Sequence, residues 1–200
     1  MFDLIAPFYD QAMRLLGADH SQAVDTLGLA PGDLVLDIGG GTGLGAKAAV
    51  ARVGCRVLVL DFSAAMLRHG RCGECIYCAR GDAAHLPLPD ASVDGVLILD
   101  ALHHFLSPPA ALAEAARVLR SGRRLALVEL DRRHPAVKLV AAVERLAGEP
   151  GTMWSPKQLA EMLQNAGLAP IELKVNGFGI LATAQRPTTL CKLASTPSAG

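Results

Sequence analysis

The stretch DLVLDIGGGTGLGAKAA, residues 33–49, is the part of the sequence that decides the fold. An apolar run leads into Asp37, and five of the eight residues from 38 to 45 are glycine. Glycine loses more conformational freedom on folding than any other residue, so it tends to stand where a Cβ would obstruct something. The residues that follow, 43–53, have the pattern of a helix with small side chains toward a sheet. The stretch therefore predicts a buried strand, a tight turn and a helix, with a polar ligand lying on the backbone N–H groups of the turn.

Strand-like apolar runs and helix-like segments alternate along the rest of the chain, which is typical of a sheet covered by helices on both faces. The pattern predicts strands over 33–38, 55–61, 76–80, 93–99 and 124–130, and helices over 43–53, 63–70, 108–120, 135–147 and 156–166. Near the end, IELKV and FGILATAQ are two strand-like runs joined by Asn176-Gly177, a strong hairpin signal. We therefore predict a doubly wound, Rossmann-like α/β fold, with a mostly parallel seven-stranded sheet and a C-terminal antiparallel hairpin.

The charge balance limits the classes of partner. The chain has 19 basic and 19 acidic residues, which gives no electrostatic basis for nucleic acid or an anionic membrane surface as the main partner. No uncharged apolar run reaches the length of a membrane span, about 18 residues. The opening MFDLIAPFYDQAM has no basic region, which argues against a signal peptide. We expect a cytoplasmic protein with one domain over 1–186, a helical lid over 1–30 and a flexible tail over 187–200.

Aspartates stand at the ends of the predicted strands. Asp61 ends the second strand about 20 residues after the glycines, where an acid can hold both hydroxyls of a ribose. Asp82 follows the third strand, where its carboxylate can accept a hydrogen bond from an adenine amine, and Asp100 ends the fourth. With Asp37, four carboxylates thus face one rim of the sheet. The glycine turn alone decides less, because GTGLGA also fits a loose dinucleotide-binding template.

A resemblance to a known family rests on four segments. VLDIGGGTG, VLDFSAAML, GDAAHLPLPDASVDGVLILDALHHF and LAEAARVLRSGRRLALVELD occur in this order and spacing. Together they resemble the class I S-adenosylmethionine-dependent methyltransferases, over residues 2–186. The opening FDLIAPFYD is further similar to the ubiquinone/menaquinone biosynthesis methyltransferase-like branch (methyltransferase type 11). The resemblance implies the cofactor S-adenosyl-L-methionine and says little about the methyl acceptor.

The resemblance also implies a cofactor-binding set from the glycine turn, the strand ends and the N-terminal helix: Tyr9, Asp37, Gly39, Gly40, Gly41, Gly43, Asp61, Phe62, Met66, Asp82, Ala83, Asp100 and Ala101. The glycines would cradle the methionine portion of the cofactor, with Asp37 bridging to its amino group. Asp61 would bind the ribose, and Asp82 would read the adenine edge. Asp100 would lie beside the methyl-bearing sulfonium. Gly40 is a departure, since the family more often has Cys, Ala or Ser there, and we expect it to be tolerated.

Candidate catalytic residues follow the fourth and fifth strands. A base is needed only where the acceptor is protonated, because the protein otherwise positions the reactants and excludes water. The candidates are His103 and His104 after the fourth strand, and Glu129 or Asp131 at the end of the fifth. Adjacent histidines diverge by about 100° on a helical turn, so at most one would face the acceptor. Two alternatives stay open: the histidines only pack near the cofactor, or the acids form surface salt bridges.

The cysteines allow a second kind of site. Cys72, Cys75 and Cys78 have C-x-x-C-x-x-C spacing and, with His69, could hold zinc or arsenite. The odd count of five cysteines and the absence of an export signal argue against disulfides. Since Cys78 falls inside the third predicted strand, we expect it to be a buried structural thiol, and we predict no metal site.

The leading hypothesis is a methyltransferase that transfers a methyl group from S-adenosylmethionine to a small molecule by in-line displacement. An alternative is a catalytically silent protein that keeps the cofactor pocket and serves a partner. An arsenite methyltransferase or an NAD-dependent dehydrogenase is less favoured. We expect a small-molecule acceptor, no nucleic acid partner, no integral membrane association, and a monomer or homodimer.

Overall fold

The computed structural model describes residues 20–70, 73–135, 137–138, 141–142 and 152–188. The strands are β1 Leu34–Ile38, β2 Arg56–Asp61, β3 Ile76–Arg80, β4 Val93–Leu99, β5 Leu119–Leu130, β6 Ile171–Asn176 and β7 Gly179–Gln185. The helices are α1 Ser21–Thr26, α2 Leu44–Val53, α3 Ala64–His69, α4 Pro108–Val118 and α5 Pro156–Asn165, with a 3-10 turn at Leu102–His104. Most of the helix predicted over 135–147, residues 1–19 of the predicted lid and nearly all of the predicted tail lie outside the described residues.

The seven strands form one sheet in the order β3-β2-β1-β4-β5-β7-β6. All pairs from β3 to β5 are parallel, and β7 runs antiparallel to both β5 and β6. The chain moves outward from β1 to β3 and then returns to place β4 on the other side of β1. Such a reversal opens a crevice at the carboxyl ends of β1 and β4, where open α/β sheets bind their ligands. The predicted fold class is confirmed.

Helices cover both faces of the sheet. On β1, Leu36 and Ile38 point into a cluster that includes α4 and α5, whereas Val35 points into a cluster with α1 and α2. All seven residues of β4 are buried. This explains the continuous apolar runs of the sequence, since a strand covered on both faces needs no polar alternation. Among the described residues no helix has the length and apolar character of a membrane span.

Two helix starts agree with the sequence pattern. The side-chain oxygen of Ser63 accepts a hydrogen bond from the N–H of Met66, which caps α3. Ser155 caps α5 through the N–H of Gln158, and the Gln158 side chain returns to the backbone N–H of Ser155. Pro156 occupies the first turn of α5, where its missing N–H leaves no hydrogen bond unmade.

Two boundaries differ from the prediction. Helix α4 ends at Val118 rather than 120, because Leu119 already pairs with Val93 of β4 and begins β5. The hairpin turn is Gly177–Phe178 rather than Asn176–Gly177, since Asn176 still pairs with Gly179. Gly177 has φ +59° and Phe178 does not have a positive φ, which is the pattern of a type II′ turn with glycine first.

Candidate functional site

A cavity of about 300 Å³ lies in the crevice at the carboxyl ends of β1, β2 and β4. Its lining includes most of the set predicted from the sequence, namely Asp37, Gly39, Gly40, Gly41, Asp61, Phe62, Met66, Asp82, Ala83, Asp100, Ala101 and His104. Gly43, His103 and Glu129 are not among the lining residues. Tyr9 lies outside the described residues, so its predicted role stays a prediction.

The sequence analysis missed several lining residues, among them His20, Gly45, Phe105 and Leu106. Gly45 is the fifth glycine of the stretch at residues 33–49, so the glycine pattern could have predicted it as a lining residue. Phe105 and Leu106 directly follow the two histidines in the loop after β4, where carboxyl-end loops of a parallel sheet bind ligands. Nothing in the local sequence places His20, the residue before α1, at this edge.

The glycines of the turn make room for side chains of the protein itself, those of Asp37 and Leu99. A Cβ at Gly40 would lie 2.6 Å from Cγ of Asp37, and one at Gly45 would clash with the Leu99 side chain and lie 3.2 Å from Asp37 Oδ2. Gly41 has φ +55°, a backbone conformation that side chains disfavour. The question raised by the sequence therefore has a structural answer: two of the five glycines surround the Asp37 carboxyl.

Asp37 is fully buried at the wall of the cavity, with 0% of its surface exposed. Neither carboxyl oxygen makes a hydrogen bond of normal geometry within the described residues. Burial raises the pKa of Asp37 to about 7; the backbone N–H of Ala46 lowers it in part, and the negative charge of Asp61 raises it further. Such a carboxyl is suited to meet a cationic group of a ligand.

Asp61 is held by the backbone. Its Oδ2 accepts a hydrogen bond from the N–H of Gly41 at 2.9 Å, and its Oδ1 accepts one from Ser63 at 2.7 Å. Burial raises the pKa of Asp61, and these backbone N–H groups oppose that shift. A carboxylate can accept about four hydrogen bonds, so lone pairs remain for two hydroxyls of a ribose.

Two further lining residues, Phe62 and Asp82, give the cavity wall an apolar and an acidic part. The ring of Phe62 is 67% exposed at the mouth, and the Arg80 guanidinium lies 5.4 Å from its centroid. Asp82 accepts hydrogen bonds from the N–H of Ala84 and from Nδ1 of His85, both at 2.9 Å. These contacts, the Ala84 N–H first, lower the pKa of Asp82, so it is a charged acceptor at neutral pH.

The loop after β4 carries the remaining polar groups. Asp100 has φ +56°, a strained value for a non-glycine residue, and its N–H donates to the carbonyl oxygen of Val128 at 2.9 Å. His104 lines the cavity, whereas His103 turns away from it, as two adjacent residues on a turn must. Burial, and secondarily the charge of His103, lowers the pKa of His104 to about 3, so its ring is neutral at pH 7.

His103 and Glu129 form a buried pair behind the cavity. Nδ1 of His103 lies 2.7 Å from Oε2 of Glu129, and the backbone N–H of His103 donates to Oε1 at 3.3 Å. Glu129 is 0% exposed, so the surface salt bridge considered from the sequence is wrong for this residue. Asp131 is also buried, paired with Arg133. One possible metal-ligand atom from each of Asp100, His103 and Glu129 lies within 4.8 Å of the other two, which is close enough to coordinate a cation. The 2.7 Å contact between His103 and Glu129, however, is a hydrogen bond.

The cysteines differ from the sequence expectation. Cys78 is disulfide-bonded and only partly buried, since β3 is the edge strand of the sheet. Cys55 and Cys75 are free. Because the Cys78 sulfur is held in a disulfide, it is not available as a thiolate ligand of zinc or arsenite. Cys72 lies outside the described residues.

Comparison with known proteins agrees with this geometry. Residues 36–127 match the family described as a methyltransferase domain. Demethylmenaquinone methyltransferase from Renibacterium salmoninarum is 38% identical over 141 residues, covering 68% of this chain and 58% of that protein. The protein of the same name from Thermobifida fusca is 37% identical over 142 residues, covering 66% and 60%. This chain thus spans less than two thirds of the length of these relatives. The resemblance stated from the sequence is confirmed.

Solved structures agree on the fold. A complex between the Haloferax volcanii Trm112 methyltransferase activator and a methyltransferase matches with a TM-score of 0.78 and 22% identity, covering 93% of this chain and 97% of that one. Human N-acetylserotonin methyltransferase in complex with S-adenosylmethionine matches with a TM-score of 0.74 and 21% identity, over 93% of this chain and 57% of that one. At these identities the likeness concerns the fold alone.

Proposed function

Because residues 36–127 match the methyltransferase-domain family, we propose that the protein is an S-adenosylmethionine-dependent methyltransferase that acts on a small molecule. The observation that carries the proposal is the arrangement of Asp37, Asp61, Asp82 and Asp100 around one cavity, each at or just after the carboxyl end of a different parallel strand. A dinucleotide enzyme would share the glycine turn and the ribose acid. The family match favours S-adenosylmethionine over NAD.

The residues present fit this cofactor. The buried, unbonded carboxyl of Asp37 is suited to the amino group of the methionine portion. The turn at Gly40 and Gly41 has no Cβ to block approach of that portion. Asp61 has lone pairs for the ribose hydroxyls, while Phe62 and the charged Asp82 offer an apolar face and an acceptor to the adenine.

S-adenosylmethionine, when bound, would supply a methyl group to an attacking nucleophile, with S-adenosylhomocysteine as the leaving group. The chain would orient the acceptor and keep water away from it. Asp100 and His104 line the cavity, and in this proposal they lie beside the sulfonium and the acceptor. A neutral His104 ring adds no positive charge beside a sulfonium, and its pKa of about 3 makes it a weak base at neutral pH. Its role is therefore positioning of the acceptor rather than strong general-base catalysis.

We assign the His103–Glu129 pair to holding the loop that carries Asp100 and His104. Both side chains are buried and outside the cavity lining, so neither reaches an acceptor directly. Glu129 accepts from both the ring and the backbone of His103, which fastens the loop to the end of β5. The catalytic roles considered for His103 and Glu129 in the sequence thus become, in this proposal, a positioning role.

The acceptor we propose is a small molecule with an apolar, aromatic part. The mouth of the cavity presents Phe62 at 67% exposure and Leu106 at 92%. The named relatives are demethylmenaquinone methyltransferases, whose substrates by that name are demethylated quinones. We further propose a cytoplasmic enzyme, monomeric or homodimeric, in which Tyr9 and the segment before His20 close over this mouth.

The test is production of S-adenosylhomocysteine, measured by mass spectrometry after incubation with S-adenosylmethionine and a panel of demethylated quinols, phenols and amines. The proposal predicts turnover with at least one aromatic acceptor, and loss of that turnover in Asp61→Ala. Cofactor binding without turnover on any acceptor would favour the catalytically silent protein of the same fold. Absence of cofactor binding would contradict the proposal.

A further inference from the structure

The Asp37 carboxyl is a buried acid at the cavity wall, and within the described residues neither of its oxygens has a hydrogen bond of normal geometry. Its neighbour Asp61 accepts two backbone hydrogen bonds at 2.7 and 2.9 Å, yet neither oxygen of Asp37 makes one of normal geometry within the described chain. Burial of a bare carboxylate without partners is strongly unfavourable, and such a group neutralises by taking up a proton.

Within the part of the chain that the structure describes, the charged and titratable groups around Asp37 do not supply a counter-charge. On β2, Asp61 is a second acid, and it raises the pKa of Asp37. Asp100, on the loop after β4, is a further acid, and the His104 ring on the same loop is neutral. Lys47 on α2 directs its Nζ to a backbone carbonyl oxygen of the turn at 3.0 Å. No cation is among the groups that shift the pKa of Asp37.

The surrounding glycines keep the carboxyl in this position. With a Cβ at Gly40, the nearest contact would be Cγ of Asp37 at 2.6 Å, so any larger residue there would push the carboxyl aside. The chain therefore keeps an unsatisfied acid at the cavity wall. A ligand with a positively charged group would satisfy it.

We propose that Asp37 is protonated in the ligand-free protein in mildly acidic solution and gives up its proton when a ligand bearing an ammonium group binds, so that the cavity selects such ligands by exchanging a proton for their charge. The inference rests on the proposed function, since the ammonium is that of the methionine portion. The O–H bond of the carboxyl breaks, its proton passes to the buffer, and an ammonium–carboxylate pair replaces it in the dry wall. No other bond changes.

The experiment is isothermal titration calorimetry of S-adenosylhomocysteine into the purified chain, in buffers of different ionisation enthalpy, at pH 6 and pH 8. With a ligand-free pKa of about 7, release should approach one proton per ligand at pH 6 and fall to about a tenth of a proton at pH 8. The dissociation constant should fall about tenfold between these two pH values, because protonation competes with binding.

Three controls separate the causes. Asp37→Asn should bind with no pH dependence and release no proton. Asp61→Asn should bind more weakly and still release a proton, in a smaller amount at pH 6 because the charge of Asp61 no longer raises the pKa of Asp37. The ligand 5′-methylthioadenosine, which lacks the amino acid portion, should bind the wild-type protein without proton release.

The outcomes are distinguishable. Binding of S-adenosylhomocysteine with no proton release at pH 6, or with release that persists in Asp37→Asn, would overturn this inference and leave the proposed function standing. No binding of either ligand by the wild-type protein would overturn the proposed function, and this inference with it.

Discussion

Four aspartates share one cavity, but their environments differ. Asp37 is buried without partners, and Asp61 is held by two backbone N–H groups. Asp82 is exposed and paired with His85, while Asp100 has a strained backbone. At neutral pH the same side chain is thus about half protonated at one strand end and charged at another, because burial and hydrogen bonds shift pKa in opposite directions. In the proposed function, these differences would let one residue type recognise an ammonium, two hydroxyls and an amine.

Asp61→Ala should weaken binding of S-adenosylhomocysteine by about 1.5–3 kcal/mol, the contribution of hydrogen bonds to a charged group. The dissociation constant would rise roughly 10- to 150-fold in calorimetry at pH 8. Asp25→Ala is the matched control, since Asp25 is an exposed acid in a surface pair with Arg52. Equal affinity of Asp61→Ala and the control would show that the ribose site lies elsewhere.

Asp37→Asn should stabilise the ligand-free protein, and increasingly so at higher pH. The folded-state pKa of Asp37 is raised from 3.8 to about 7, so the folded chain binds this proton more tightly than the unfolded chain. The wild-type protein therefore loses stability as pH rises through this window, and asparagine, which does not titrate, loses none. The difference in free energy of unfolding between the variant and the wild-type protein should grow by roughly 2–3 kcal/mol from pH 5 to pH 8.

The measurement is urea denaturation at the two pH values without ligand, with Asp25→Asn as the surface control. A difference that stays constant between pH 5 and pH 8 would mean that Asp37 titrates normally. A site residue whose removal stabilises the fold while weakening binding is the expected sign of function placed ahead of stability.

Among the elements, the end of β5 and the loop after β4 depend on each other. Glu129 is buried in β5, and the group it accepts from, His103, lies 26 residues earlier in the chain. Removing one partner of a buried pair leaves the other uncompensated. Glu129→Ala should therefore lower the free energy of unfolding by about 3–5 kcal/mol.

Urea denaturation checks this, with Glu161→Ala as control. Glu161 is an exposed acid on α5 whose nearest cation, Lys157, is 3.8 Å away, so its removal should change stability by less than about 0.5 kcal/mol. If Glu129→Ala loses no more than the control, the pair does not hold the loop.

Helix α5 offers a matched test of capping. Both α4 and α5 begin with a serine followed by proline, but only Ser155 makes a side-chain cap; Ser107 makes none. Ser155→Ala should lower the free energy of unfolding by about 1 kcal/mol, while Ser107→Ala should leave it nearly unchanged. Thermal or urea unfolding of the two variants measures the difference, and equal losses would contradict the capping assignment.

For the whole molecule, the sequence was sufficient for the fold class and most of the residues that line the cavity. Buried strands leave continuous apolar runs, and the acids that follow β1, β2 and β4 had to meet because parallel strands end at one edge. The hairpin was found from Asn176-Gly177, although Gly177 takes the first turn position. Burial of Glu129 could not be foreseen, since an acid near a strand end is usually solvated and its partner is distant in sequence.

The packing of Gly40 and Gly45 against the Asp37 side chain and Leu99 was equally hidden. The sequence indicated that something approaches the backbone there, and the ligand was the natural interpretation. The structure adds the chain's own side chains. The sequence analysis also missed the disulfide at Cys78. It argued against disulfides from the odd number of cysteines and the absence of an export signal, and neither of these shows which sulfur atoms lie close together.

The central claim is that the cavity binds S-adenosylmethionine, and calorimetric titration tests it most directly. The purified chain would be titrated at pH 8 with S-adenosylmethionine, S-adenosylhomocysteine and NADH. The account predicts micromolar binding of the first two and none of NADH. Binding of NADH, or binding of none of the three, would contradict it.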